Sequence, residues 1–208
     1  MNTLCFDTCL NRMYVALGNE TDVISSKIID NTETHYHSAF LISTIKDILK
    51  ENSLTPNDID IIATNIGPGS FTGIRACTTV ARIFAQAKNI KVVGVSSLEI
   101  LSRISYSNKV LVALDARKDS AYAAGYEHGK CILEPQVMKI EELKKLIYQY
   151  QDIICDDYLS ELLNQKSYQA LDIDLGKILL KLSSEKTPVC WSALEPLYLQ
   201  PPPVTLKK

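Results

Sequence analysis

The period of hydrophobic and polar positions changes several times along this chain, and each change marks an element. Three runs near the N-terminus are apolar and rich in β-formers: "NTLCFDT", "RMYVALG" and "DVISSKII". Short polar turns separate them, and Gly18-Asn19 closes the second. The spacing then becomes helical, with Leu41, Ile45, Ile48 and Leu49 recurring on one face and Thr34 or Ser38 as a cap; residues 52–57, with Pro56, end this helix. "IDIIATN" is a continuous apolar run, the pattern of a strand buried on both faces. The glycine-rich segment "NIGPGSFTGIR" (65–75) leads into a helix over residues 72–88. A strand "KVVGV" and a short helix "SSLEILSRI", capped by Ser96 or Ser97, follow.

The second half repeats the order. "KVLVALDA" predicts a strand, "SAYAAGY" its hairpin partner and "KCILEPQVM" a third strand; then come helix "IEELKKLIYQY", strand "DIIC" and helix "DYLSELLNQ". The sequence β-β-β-α-β-α therefore occurs twice. It resembles the ribonuclease-H-like unit, whose duplication builds actin-like and sugar-kinase-like proteins. The expected fold is α/β with two lobes, residues 1–106 and 107–208, the second reduced. After Asn164 it retains one helix, in "LDIDLGKILLKLSSE", and a proline-marked tail extended along the surface.

Composition narrows the function classes. The chain has 208 residues, 46% hydrophobic and 22% charged, ample material for a core. A net charge of -2 gives no basic surface for neutralising many phosphates, so tight direct binding of nucleic acid is not expected. The cysteines at 5, 9, 77, 131, 155 and 190 form no C-x-x-C pair and read as reduced, mostly buried thiols; no metal site is expected. The histidines at 35, 37 and 128 fit no helical ligand pair. The opening residues carry Asp7 inside their apolar run and show no basic leader. No apolar run approaches the ~18 residues that span a bilayer, so no membrane association and a cytoplasmic location are expected.

The glycine segment fails both phosphate-binding spacings. A P-loop needs G-x-x-x-x-G-K-[ST], but five residues separate Gly67 from Gly73, and Ile74 stands where lysine belongs. Gly67 and Gly69 start a dinucleotide fingerprint, but Gly73 comes one residue late. A structural role fits better: Pro68-Gly69 as a tight turn, Ser70 or Thr72 as the cap, Gly73 for close backbone approach. The helix beyond carries two apolar stripes. One is Ile74, Cys77, Thr78, Ala81, Phe84 and Ala85; the other is Ala76, Val80, Ile83 and Ala87. Burial within the domain and contact with a protein partner both account for so apolar a circumference.

These segments together resemble the TsaB family, also called YeaZ. The carriers are "NIGPGSFTGIR" followed by "VVGVSSLEIL", against the family's G-P-G-S-F-T-G-L-R and G-V-S-S-L-E. "CFDTCLNRMYVAL", "HSAFLISTIKDILKENSLTPNDID", "LVALDARKDSAYAAGY" and "PLYLQPPPV" agree, and the match weakens over residues 139–186. The chain departs at Ala39, where glutamate is usual, and at Gln200, where arginine is common.

The resemblance implies the actin-like ATPase fold, in which ATP lies between lobes against the first hairpin of each. Phosphate approach there calls for glycines, and neither "DTCLN" nor "DARKD" has one. Asp7, Thr8, Asp115 and Arg117 are the candidate weak nucleotide contacts, with Asp7 capping its own turn as the simpler reading. No catalytic residue, cofactor or metal is implied beyond weak ATP or ADP binding at an interface shared within a complex. The family implies a non-catalytic subunit for N6-threonylcarbamoyladenosine formation at position 37 of tRNA. It binds the transferase TsaD, recruits the ATPase TsaE and touches tRNA only indirectly; the apolar helix faces leave a homodimer open to the isolated chain. The implied partner face is Ser38, Leu41, Ile42, Ile45, Ile74, Cys77, Thr78, Ala81 and Phe84. The supporting loop is Gly67, Pro68, Gly69, Ser70, Phe71, Thr72, Gly73 and Arg75. A weak ATP-binding phosphotransferase and a peptidase-like enzyme of the same fold are the alternatives.

Overall fold

Alternation of side chains builds the first sheet of the computed structural model, which describes residues 1–19, 22–30 and 37–201, the side chains of 37 and 38 excepted. Along β1 (Thr3–Asp7), Leu4 and Phe6 enter one core cluster and Cys5 the other. Met13, Val15 and Leu17 of β2 (Arg12–Gly18) oppose Tyr14 and Ala16 in the same way. With β3 (Val23–Asp30), β4 (Ile61–Asn65) and β5 (Lys91–Val95) these strands form a sheet of order β3-β2-β1-β4-β5. The β1–β4 and β4–β5 pairings are parallel, and β1–β2 and β2–β3 are antiparallel. The second sheet has order β8-β7-β6-β9, from β6 (Lys109–Asp115), β7 (Ser120–Glu127), β8 (Lys130–Lys139) and β9 (Asp152–Cys155). It stops one strand short of the first, as the expected reduction requires.

Helices cover each outer face. On the first sheet lie α1 (Leu41–Glu51) and α2 (Phe71–Lys88). The second carries α4 (Ile140–Leu146), continued by a 3-10 turn Ile147–Gln149, and α5 (Asp157–Leu163). A 3-10 turn His37–Phe40 introduces α1, which makes no side-chain N-cap hydrogen bond; Thr34 and the Ser38 side chain, the expected caps, lie outside the described residues.

The layer between the sheets departs from the expected division of the chain. Helix α3 (Ser97–Ser102), from the first half, packs on β6 and β7 of the second sheet. Helix α6 (Leu175–Ser184), from the second half, lies across β1 to β5 of the first. Their contact completes one core that contains Val93, Leu98 and Leu101 from one half and Val112, Tyr126 and Leu179 from the other. The tail then returns to the first lobe. Val189 exchanges both backbone hydrogen bonds with Val92 on the free edge of β5, Leu194 is buried beside Trp191, and Leu197 N–H donates to Ile66 O at 2.8 Å. The expected lobe 107–208 is therefore corrected: from Leu175 onward the chain packs on the first lobe. The exchanged helices bury their apolar faces in the layer between the sheets, within one shared core.

Candidate functional site

The glycine segment packs against the first hairpin by its backbone. Ser70 N–H donates to Cys9 O at 2.8 Å, and a Cβ added at Gly69 would lie 2.4 Å from that same oxygen. One added at Gly73 would lie 1.8 Å from Thr8 O. Ser70 Oγ caps α2 by accepting from Gly73 N–H at 3.3 Å. Gly67, at φ 102°, supplies a left-handed residue that only glycine adopts without strain. Asn65 joins this loop to the serine pair: its Oδ1 accepts from Gly67 N–H at 2.8 Å and from Ser97 Oγ at 2.9 Å, and Ser97 N–H donates to Gly67 O. Ser96 caps α3 by accepting from Glu99 N–H. The two sequence motifs, 30 residues apart, are thus one hydrogen-bonded unit. Ser97→Ala is expected to cost about 1–2 kcal/mol, a melting temperature lower by roughly 2–8 °C in a thermal scan.

Two hairpin tips face each other across a cleft of about 670 Å³. Cys9, Leu10 and Asn11 form one wall with residues 68–72; Leu114 to Lys118, Tyr122 and Asp156 form another; residues 197–201 of the tail close the side. The tips share one design. Asp7 Oδ1 accepts from Cys9 N–H at 2.6 Å, and Asp115 Oδ1 from Arg117 N–H at 2.7 Å, each carboxylate capping the turn two residues on. Asp156 Oδ2 takes Asp115 N–H at 2.5 Å. Amides that would otherwise point at an anion are held by the chain's own carboxylates. Asp7 and Thr8 are buried and do not line the cleft, which corrects their expected place as nucleotide contacts. Asp115 and Arg117 do line it, with Lys118. Arg117, Lys118 and Asp119 all adopt left-handed φ, of 51–60°.

Burial raises the Asp156 carboxyl; hydrogen bonds from the Asp115 and Leu159 amides offset part of this, and the Asp115 and Asp157 charges add to the rise. A raised folded-state pKa adds stability below the unfolded value of about 4 and removes it as pH climbs through the folded value. Asp156→Asn is therefore expected to flatten the decline in stability above about pH 4, read from urea midpoints across a pH series.

At the cleft wall, Phe71 is half-buried between the Arg75 guanidinium, 4.1 Å above its ring, and Tyr198, 5.3 Å away between centroids. Helix α2 buries one stripe only. Ile74, Cys77, Thr78 and Ala81 are buried in their own lobe, as are Leu41 and Ile45 of α1, so these six do not form the partner face expected of them. Phe84 is half-buried, and the Ser38 side chain is outside the described residues. Solvent instead meets the second stripe. Ile83 is 62% exposed, Ala87 is exposed, and Val80 and Ala76 are half-covered. Phe40 and Ile42, 40% and 49% exposed, continue the apolar surface at the start of α1.

Directly beneath the glycine loop three metal-ligating side chains converge, which the spacing did not suggest. The ligand atoms of Asp7, Cys9 and Cys77 lie within 4.8 Å of one another, and all three residues are buried. Thr8 N–H donates to Cys77 Sγ at 3.1 Å, and Thr8 Oγ1 donates to Gly73 O. Burial above all, then Cys77 and Asp7, pushes the Cys9 thiol up, so it is protonated at neutral pH.

A family model described as "TsaD: tRNA N6-adenosine threonylcarbamoyltransferase" matches residues 23–185. The tRNA threonylcarbamoyladenosine biosynthesis protein TsaB of Escherichia coli K12 is 29% identical over 152 residues, 66% of this chain and 64% of that one. The protein of the same name from Buchnera aphidicola subsp. Baizongia pistaciae is 30% identical, over 69% of this chain and 67% of that one. The chain belongs to the TsaB (YeaZ) family. Its matches thus span about two thirds of these relatives' lengths. In three dimensions, YeaZ from Pseudomonas aeruginosa superposes with a TM-score of 0.77 at 25% identity, covering 95% of this chain and 99% of that one. The duplicated actin-like fold is that of the TsaB family, and its G-P-G-S-F-T-G and S-S-L-E segments here form the loop, cap and Asn65 junction. Sequence reasoning missed Asn65, whose only signal was its place at the end of β4, and Tyr198, whose partner lies 127 positions earlier.

Proposed function

We propose that this chain is a non-catalytic subunit in the synthesis of N6-threonylcarbamoyladenosine at position 37 of tRNA. It binds a TsaD-type threonylcarbamoyltransferase through the outer face of α1 and α2, and the pair recruits the ATPase TsaE. The observation that carries this reading is the occupied hairpin amides: Asp7, Asp115 and Asp156 hold Cys9, Arg117 and Asp115 N–H groups, and the Asp115 and Asp156 carboxylates place negative charge on the cleft wall where a triphosphate would lie. Arg117 and Lys118 leave room for weak ATP or ADP contact once a partner completes the cleft. A net charge of -2 fits contact with tRNA through the partner. The exposed Phe40, Ile42 and Ile83 supply the apolar anchors of the partner face. The same face accounts for a homodimer when no partner is present.

The test is co-purification with the TsaD homologue of the same cell. A stable 1:1 complex supports the reading, and its absence under low salt overturns it. The cleft favours one alternative, a weak ATP-dependent phosphotransferase. ATP turnover by the purified chain that is abolished by Arg117→Ala would establish it. No turnover above the protein-free blank is expected.

A further inference from the structure

We propose that Asp7, Cys9 and Cys77 form a binding site for a single thiophilic divalent cation, with zinc as the natural occupant. The site does not depend on the function proposed above. Its ligand atoms already lie within 4.8 Å of one another, although Cys77 stands 68 positions beyond Cys9 in the chain. Zinc–sulfur distances of about 2.3 Å and zinc–oxygen distances of about 2.0–2.2 Å set tetrahedral edges of roughly 3.5–3.8 Å. Closing to that geometry asks for about 1 Å of movement shared between two side chains.

Two sulfurs and one carboxylate select zinc or a similarly soft ion over magnesium, which prefers oxygen ligands and retained water. The supporting contacts are those a metal centre uses. Thr8 N–H points at Cys77 Sγ, a bond that steadies a thiolate, and Cys9 N–H orients the Asp7 carboxylate through Oδ1. Two oxygens stand near enough for the fourth position: Thr8 Oγ1, 3.2 Å from Cys77 Sγ, and Asn65 O, 3.5 Å from Cys9 Sγ. Cys9 also lines the interlobe cleft, which gives the ion its entrance.

Binding is a ligand exchange with no redox change. The cation gives up water, accepts lone pairs from two sulfurs and one carboxylate oxygen, and the two thiol protons pass to solvent. The bound ion ties the first hairpin to the first turns of α2, beside the close approach of Gly73 to Thr8. It therefore stiffens the foot of the helix that carries Ile83.

The full chain, stripped with chelator and kept reduced by a phosphine, is titrated with cobalt(II) alone and then with zinc(II) alone. A Cys131→Ser/Cys190→Ser background removes the two exposed thiols. The expected result is one cobalt per chain, with sulfur-to-metal charge-transfer absorption and the intense visible bands of a tetrahedral site. Zinc then bleaches both and raises the melting temperature. Cys9→Ser, Cys77→Ser and Asp7→Asn are each expected to weaken binding at least about tenfold. Absence of charge-transfer absorption in the background protein overturns the site without recourse to any further variant. So does unchanged affinity in Cys9→Ser and Cys77→Ser. If Cys77→Ser does not fold, Cys9→Ser at the cleft wall carries the comparison.

Discussion

Gly73→Ala is expected to destabilise the protein by about 3 kcal/mol or more, at the upper end of what overpacking a core costs. The new methyl carbon would lie 1.8 Å from Thr8 O, 2.6 Å from Thr8 C and 3.1 Å from Cys9 Cα. All three are backbone atoms of the turn that follows β1, so no side chain can rotate away. Thr8 Oγ1 donates to Gly73 O at 2.8 Å and Thr8 N–H to Cys77 Sγ, so the approach is held from both sides. In an exposed helix interior the same substitution would stabilise by about 1 kcal/mol, because alanine is the better helix former. Here packing reverses that sign. For a chain of this size the loss corresponds to roughly 6–12 °C in melting temperature. Urea titration of Gly73→Ala beside Thr79→Ala, an exposed position of the same helix, provides the measurement. A variant as stable as the parent would mean that α2 does not rest on the hairpin as described.

Ile83→Asp is expected to leave the fold intact and weaken association with the proposed TsaD-type partner by roughly 30-fold or more. At 62% exposure the side chain contributes little to its own core, so the melting temperature should change by no more than an exposed substitution allows, about 0.5 kcal/mol in stability. At the centre of an interface, a buried charge in place of an apolar anchor costs about 2 kcal/mol or more, a loss of affinity of roughly 30-fold. Ala81→Arg does not test the same idea. Ala81 is 0% exposed, so arginine there forces an unpaired charge into the core and unfolds the helix layer. Size-exclusion co-elution of partner with parent, Ile83→Asp and Phe40→Asp chains separates the outcomes. Binding retained by both variants would move the interface elsewhere; binding absent in the parent would remove the proposed function itself.

Local order was legible in the sequence because it rests on local physics. The alternation of Leu4, Cys5 and Phe6, or of Leu111, Val112 and Ala113, is a period of two that only a strand with two buried faces satisfies. The caps at Ser70 and Ser96, each one of two candidates at its helix start, follow from the need of a helix N-terminus for a side-chain acceptor. The same segments sufficed to place the chain in its family.

Three things were decided only by the tertiary structure. The two stripes of α2 are both apolar and small, so periodicity could not choose between them; the Gly73–Thr8 contact fixes the rotation that buries Cys77 and Ala81 and leaves Ile83 outside. The exchange of α3 and α6 between sheets, and the tail's return to β5, depend on surface that appears only when both sheets exist. The meeting of Asp7 and Cys9 with Cys77 is a product of the β1–α2 packing. Each is a contact between distant positions, whose energy comes from mutual burial and close approach rather than from the conformational preference of either segment alone.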